Sequence, residues 1–199
     1  MTEPEGEQRV GITTQFRKKY HEVLNFYLPP ELKERTDPVR VLSVACGFGL
    51  EALGIQRVMP FAYYEGIDLN PDLFLLARRL NPHLPTERFR QADAQNPDSF
   101  GQDPWDLVML RNPQLGSMRV IHNRLWSKII ANSVNATKEG GFLFISSLTG
   151  LEFSHLLEYL EFFPQLRIEN LPHEIPVSLP EIPLKDHFAL LAKKLHRGT

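Results

Sequence analysis

The chain has 199 residues, 42% hydrophobic and 23% charged, which is enough for one substantial core and short for two. A formal net charge of −2 gives no global pull toward phosphate backbones or anionic lipid, so a nucleic-acid partner is not excluded but receives no support from bulk charge. The single cysteine, Cys46, rules out an intrachain disulfide and a zinc site built on a cysteine pair. That usage, the acidic opening Met1-Thr2-Glu3-Pro4-Glu5 and the lack of any run of about 18 apolar residues predict a soluble, cytoplasmic protein without a membrane partner.

Residues 1–10 are polar and read as a loose tail. Phe16, Tyr20, Val23, Leu24, Tyr27 and Leu28 then recur at helical spacing until Pro29-Pro30 stops the pattern. This N-terminal part, residues 1–37, is expected to pack on a main domain of residues 38–199, its aromatic stripe serving as core or as a substrate wall. Val39 to Ala45 is a short, β-branched, apolar run suited to a strand buried from both sides. Cys46-Gly47-Phe48-Gly49 follows, and then Leu50 to Ile55 with the pattern of a helix. Ala62 to Ile67 reads as a second strand closing at Asp68, and Asn70-Pro71-Asp72 opens a second helix through Leu80.

Glu87 to Ala92 is a weaker third strand ending at Asp93, and Trp105 to Leu110 a clearer fourth, ended by Arg111-Asn112-Pro113. Val120 to Ala136 carries one apolar helical face, and Lys138-Glu139-Gly140-Gly141 turns it into a fifth strand, Phe142 to Ser146. Leu151 to Phe163 reads as helix and Leu166 to Asn170 as strand. Four prolines between 171 and 186 break regular structure, and His187 to Lys193 supplies a last strand. Strands alternating with helices predict right-handed crossovers and a parallel sheet.

In such a sheet, ligands gather where the strands end, near a reversal in strand order. Cys46-Gly47-Phe48-Gly49, Asp68, Asp93 and Arg111-Asn112 all fall at strand ends. Gly47 and Gly49 permit a tight turn beside a ligand. Asp68 can accept two hydrogen bonds from a ribose diol, and its 21-residue spacing from Gly47 fits one strand, helix and strand unit. Asp93, with Ala94 beside it, suits either an adenine amine or a helix cap. Leu69 suits either the side of a ribose or a cover over the sheet. Gly47 to Ala52 also satisfies the dinucleotide pattern G-x-G-x-x-A, which keeps a nicotinamide cofactor in play.

The strings Val41-Leu42-Ser43-Val44-Ala45-Cys46-Gly47-Phe48-Gly49, Tyr64-Glu65-Gly66-Ile67-Asp68-Leu69-Asn70-Pro71, Gln91-Ala92-Asp93-Ala94 and Trp105-Asp106-Leu107-Val108 stand in the order of the four cofactor-side motifs of the class I S-adenosylmethionine-dependent methyltransferases. The chain resembles that family over residues 38–195. The resemblance implies an α/β, Rossmann-like three-layer sandwich whose mostly parallel seven-stranded sheet carries an antiparallel last strand. It implies S-adenosyl-L-methionine as cofactor, with Asp68 at the ribose hydroxyls, Asp93 and Ala94 at the adenine, and Ala45, Cys46, Gly47 and Gly49 around the amino-acid part. Arg111 would border the methyl-transfer cleft. Two residues depart from the pattern: Ser43 stands where an acid often organises the amino-acid end, and Ala45 replaces a glycine. With Ser43, the cofactor ammonium needs another acceptor, for which a backbone carbonyl or an ordered water is the expectation.

Methyl transfer from a sulfonium proceeds by in-line approach of a nucleophile and needs no fixed triad. Arg111 has three open roles: attracting an anionic substrate, orienting the methionine carboxylate, or making a structural salt bridge. Asn112 can shape a turn or touch substrate, and His122 is a candidate base. His155 and His173 are dispersed, and no metal is expected. The reading is methyl transfer to a small-molecule acceptor. Its alternatives are a nicotinamide-dependent oxidoreductase and a catalytically inactive nucleoside-binding or regulatory protein.

Overall fold

The computed structural model describes residues 20–113, 115, 120–147, 149–170 and 188–196, and for 120–122 the backbone. The expected tail at 1–10, Phe16 and the 171–186 connection lie outside the described residues. Among the described residues there are seven strands: β1 (Arg40–Val44), β2 (Tyr63–Asp68), β3 (Phe89–Gln91), β4 (Trp105–Arg111), β5 (Thr137–Ser147), β6 (Leu166–Asn170) and β7 (Phe188–Lys194). They form one sheet in the order β3-β2-β1-β4-β5-β7-β6. The first five pair in parallel, and β7 lies antiparallel between β5 and β6. The expected sheet with its antiparallel last strand is therefore the one that forms.

Helical segments are residues 20–27 (α1), Pro30–Lys33 (α2), Ala52–Val58 (α3), Leu73–Leu80 (α4), Val120–Ala136 (α5) and Gly150–Leu160 (α6). The apolar strands divide their side chains between two helical layers. Val41, Phe142 and Phe144 join Tyr20, Leu24, Tyr27, Leu32, Ile55 and Ala77 in one core. Leu42, Val44, Leu143 and Ile145 join Ile130, Val134, Phe153 and Leu156 in the other. Side chains alternating across each strand, with apolar residues at both phases, make a sheet buried on both faces. At about 1.5–3 kcal/mol for each large apolar side chain buried, this split core is the main source of stability.

Among the described residues, no helix is long and apolar enough to cross a membrane. α1 crosses α3 at Gly54, where an added Cβ would lie 3.1 Å from the His21 amide nitrogen and 3.3 Å from Leu24 Cδ1. Glycine at that crossing lets the N-terminal helix seat against the layer beside the first strand.

The structure differs from the sequence expectation at β5. Gly140-Gly141 lies within this strand rather than ahead of it, because Thr137 already pairs with Trp105 and the register shifts before Leu107. Gly140 has φ 77, and a Cβ on Gly141 would come within 2.9 Å of the Asp106 and Lys138 carbonyl oxygens. Two glycines that read as a turn thus make a bulge. α3 also starts later than expected, at Ala52, three residues beyond Gly49. α6 begins with a capping box between Thr149 and Glu152.

Candidate functional site

From β1 the chain passes to β2 on one side and, later, to β4 on the other, so the strand order reverses beside the carboxyl end of β1. The turn there is left-handed at alternate residues: Ala45 has φ 53, Gly47 54 and Gly49 59. For Ala45 this conformation is strained, by about 1–2 kcal/mol. Asn81, fully buried at the end of α4, pins the turn by donating from Nδ2 to the Gly49 carbonyl at 3.1 Å and the Phe48 carbonyl at 3.4 Å. A Cβ on Gly49 would strike the Phe89 ring at 2.6 Å, whereas one on Gly47 would meet nothing within 4 Å. Gly49 therefore packs inward and Gly47 borders open space.

Asp68 closes onto this turn. Its Oδ2 accepts the Gly47 N–H at 2.9 Å and its Oδ1 the Asn70 N–H at 2.9 Å. The following Leu69 is 62% exposed, and Phe48 is exposed on the turn itself. Gly49 N–H donates to the Cys46 carbonyl at 2.9 Å. The amides that a dinucleotide pyrophosphate would use are thus spent inside the protein, one of them on a carboxylate. Burial pushes the Cys46 thiol well above its ordinary pKa, and the negative charges of Glu51 and Asp68 push it further. That thiol stays protonated and is a poor nucleophile.

Asp93 is exposed, and its Oδ1 accepts the Gln95 N–H at 2.9 Å, which makes it a turn former. Ala94 beside it is buried. Asn132 of α5 fixes this loop by donating to the Ala94 and Gln95 carbonyls, both at 3.0 Å.

The sequence reading missed Glu51. This residue is fully buried at the N-cap of α3, and its carboxylate is gripped from three strands. Ser43 of β1 donates to Oε1 at 2.6 Å and Tyr64 of β2 donates to the same oxygen at 2.7 Å. Arg111, at the end of β4, approaches Oε2 at 3.4 Å. The Arg111 guanidinium also lies 5.2 Å from the centre of the Tyr20 ring of α1. Burial, then the Glu51 charge, raises the Tyr64 hydroxyl well above its ordinary pKa. The one signal in sequence was an acid inside the otherwise apolar run Leu50 to Ile55.

Asn112 follows Arg111 in a left-handed conformation, φ 54, with its N–H on the Ser146 carbonyl at 2.7 Å. The Asn112 Oδ1 and the Ser146 and Ser147 hydroxyls are buried without hydrogen-bond partners among the described residues. The His122 side chain and His173 lie outside the described residues. His155 sits on α6 against Glu158 at 3.5 Å. Among the described residues, no group of three His, Cys, Asp or Glu side chains is placed to hold a metal ion.

A sheet of order β3-β2-β1-β4-β5-β7-β6 with β7 reversed, and with its glycine turn and acid at the β1 and β2 ends, defines the class I methyltransferase architecture. The family model described as a methyltransferase domain matches residues 41–141. The chain belongs to that family, whose cofactor is S-adenosyl-L-methionine. It is 30% identical over 82 residues to the secondary metabolism regulator laeA of Monascus pilosus, an overlap of 41% of this chain and 20% of that protein. The chain thus matches about a fifth of that relative's length. Its fold is similar to a S-adenosylmethionine-dependent methyltransferase from Clostridium acetobutylicum, with TM-score 0.65, 14% identity, and 90% and 92% of the two chains covered. It is also similar to an rRNA methylase from Streptococcus thermophilus, with TM-score 0.57, 18% identity, and 89% and 95% covered.

Proposed function

We propose that this protein transfers the methyl group of S-adenosyl-L-methionine to a small-molecule acceptor. The observation that carries the reading is the Asp68 carboxylate held 2.9 Å from the Gly47 amide at the edge of open space. A ribose entering there meets a carboxylate already aimed by two backbone amides, with the apolar Leu69 and Phe48 flanking it. The residues present fit the cofactor. Asp68 and Leu69 would take the ribose, Asp93 and Ala94 the adenine side, and Ala45, Cys46, Gly47 and Gly49 the wall beside the amino-acid end, which Arg111 borders. Once bound, the cofactor supplies an electrophilic methyl on a sulfonium, and the chain's part is to orient it and exclude water.

The nicotinamide alternative is disfavoured, because a pyrophosphate at this turn would find the Gly47 amide occupied and the Asp68 charge facing it. A small acceptor is favoured over a nucleic acid by the net charge of −2 and by α1 seated against α3 beside the site. Residues 38–199 would form the methyl-transfer domain and 1–37 its N-terminal cover, and the lone buried Cys46 suits a cytoplasmic setting.

Calorimetric titration with S-adenosylhomocysteine, followed by tritiated methyl transfer to fractionated extract, tests the reading. Binding with label in the low-molecular-weight fraction is expected. Label confined to RNA would replace the acceptor class, binding without transfer to any fraction would favour the regulatory alternative, and no binding would overturn the proposal.

A further inference from the structure

The Glu51 carboxylate is unevenly used. Two hydroxyls from neighbouring strands converge on Oε1 at 2.6 and 2.7 Å, while Oε2 meets the Arg111 guanidinium at a loose 3.4 Å. An ionised carboxylate offers about four acceptor positions, and burying one is costly unless they are filled by good donors. Here the group is fully buried, and its second oxygen is held by a contact longer than the two on its first. Glu51 stands two residues beyond the turn of residues 45–49, with the Ser43 and Tyr64 hydroxyls on one oxygen of its carboxylate. Its other neighbour is the cation most able to bind a carboxylate. A carboxylate and a guanidinium side by side are the electrostatic complement of an amino-acid zwitterion.

We propose that Glu51 receives the ammonium of the cofactor's amino-acid end on Oε2, while Arg111 turns to that end's carboxylate. This rests on the methyl-donor reading above. It answers the question raised by Ser43: the acid absent from β1 is supplied eight residues later from α3, and Ser43 holds it in place. The expected acceptor was a backbone carbonyl or a water. A buried carboxylate is the stronger choice, because an ion pair formed away from solvent gains far more than one in water. Arg111 is the partner that moves, since its side chain is 14% exposed while that of Glu51 is closed off.

A cycle between the ligand amine and Glu51 tests this on the full chain. Affinities are measured for S-adenosylhomocysteine and for its deaminated analogue, which keeps the carboxylate, on the native protein and on Glu51→Gln. The native protein should prefer the amine-bearing ligand by about tenfold or more, and Glu51→Gln should bring the ratio close to one. A purely structural role for Glu51 would weaken both ligands alike and leave the ratio standing, which would overturn the proposal while the methyl-donor reading survived. No preference in the native protein would also overturn it. A native protein that binds neither ligand would remove both readings. If Glu51→Gln does not fold, Ser43→Asp combined with Glu51→Gln returns one carboxylate to the same cluster. Retention of the preference there supports the proposal, and a folded double variant without it overturns the proposal.

Discussion

The two edges of the sheet are built from the same strands under opposite rules. At the amino edge the charged groups around Asp106 are answered. Asp106, at the start of β4, accepts from the Arg40 amide and the Arg35 guanidinium, both at 2.9 Å, and from Lys138 at 3.4 Å. Arg40 stacks on Trp105, whose indole N–H donates to the Phe100 carbonyl at 2.8 Å, and Arg88 stacks on Tyr63. At the carboxyl edge, Ala45 and Asn112 are left-handed, the Asn112 Oδ1 and the Ser146 and Ser147 hydroxyls lack partners among the described residues, and Leu69 stands in solvent. Strain and unmet polar groups persist only where surrounding structure holds them, and they concentrate where a ligand supplies what is missing. One edge ties the fold together, and the other carries the strain and unmet polar groups beside the proposed cofactor site.

Substitutions at the two edges should therefore separate stability from binding. The largest effect is expected for Asp68→Ala at the carboxyl edge. It removes the charge-assisted grip on a ribose proposed for this carboxylate and should weaken S-adenosylhomocysteine binding by about 100-fold with little change in melting temperature. Calorimetry alongside thermal unfolding checks this, and unchanged affinity would sink the ribose assignment. Asp106→Asn should do the reverse, costing about 2 kcal/mol of stability in denaturant titration while affinity stays within twofold.

The Asp106 effect should also depend on pH with a defined sign. Burial pushes this carboxyl up, but the Arg40 amide, the hydrogen bond and charge of Arg35, and the charge of Lys138 outweigh it and leave the folded pKa below the usual range. A depressed pKa contributes stability that is complete above the unfolded value, about 3.9, and is lost as pH falls through the folded one. The gap between the native protein and Asp106→Asn should thus be full at pH 7 and close below about pH 4. A gap that persists in acid would mean that Asp106 acts through packing rather than charge.

The fold was legible because its strands are short apolar runs ended by turn residues, and β1, β2 and β4 fall within a residue or two of their expected places. Gly140-Gly141 misled, since a bulge and a turn demand the same residue type and only the Trp105 to Thr137 pairing separates them. The meeting of Asp68 with the glycine turn was readable because each lies directly after the strand that positions it. Glu51, Asn81 and Asn132 were not, because their meaning comes from partners on other elements. Asn81 reaches back 32 residues to the Gly49 carbonyl, and Asn132 reaches 38 to Ala94. A polar residue on a helix looks the same from sequence whether it faces water or pins a loop.

The smallest effect is expected at Ala45, and it bears most directly on whether the carboxyl edge is strained for a purpose. An alanine in place of the usual glycine is harmless if its backbone is right-handed, but Ala45 has φ 53. Ala45→Gly relieves about 1–2 kcal/mol of left-handed strain and gives back about 0.5–1 kcal/mol in unfolded-chain entropy, so a net gain of roughly 0.5–1 kcal/mol should appear in denaturant unfolding. If the strain serves binding, the gain comes with weaker cofactor affinity, because a looser turn costs more to order around the ligand. If stability and affinity rise together, the alanine is a tolerated substitution, and the readiness of this edge lies in its unpaired polar groups rather than in its backbone.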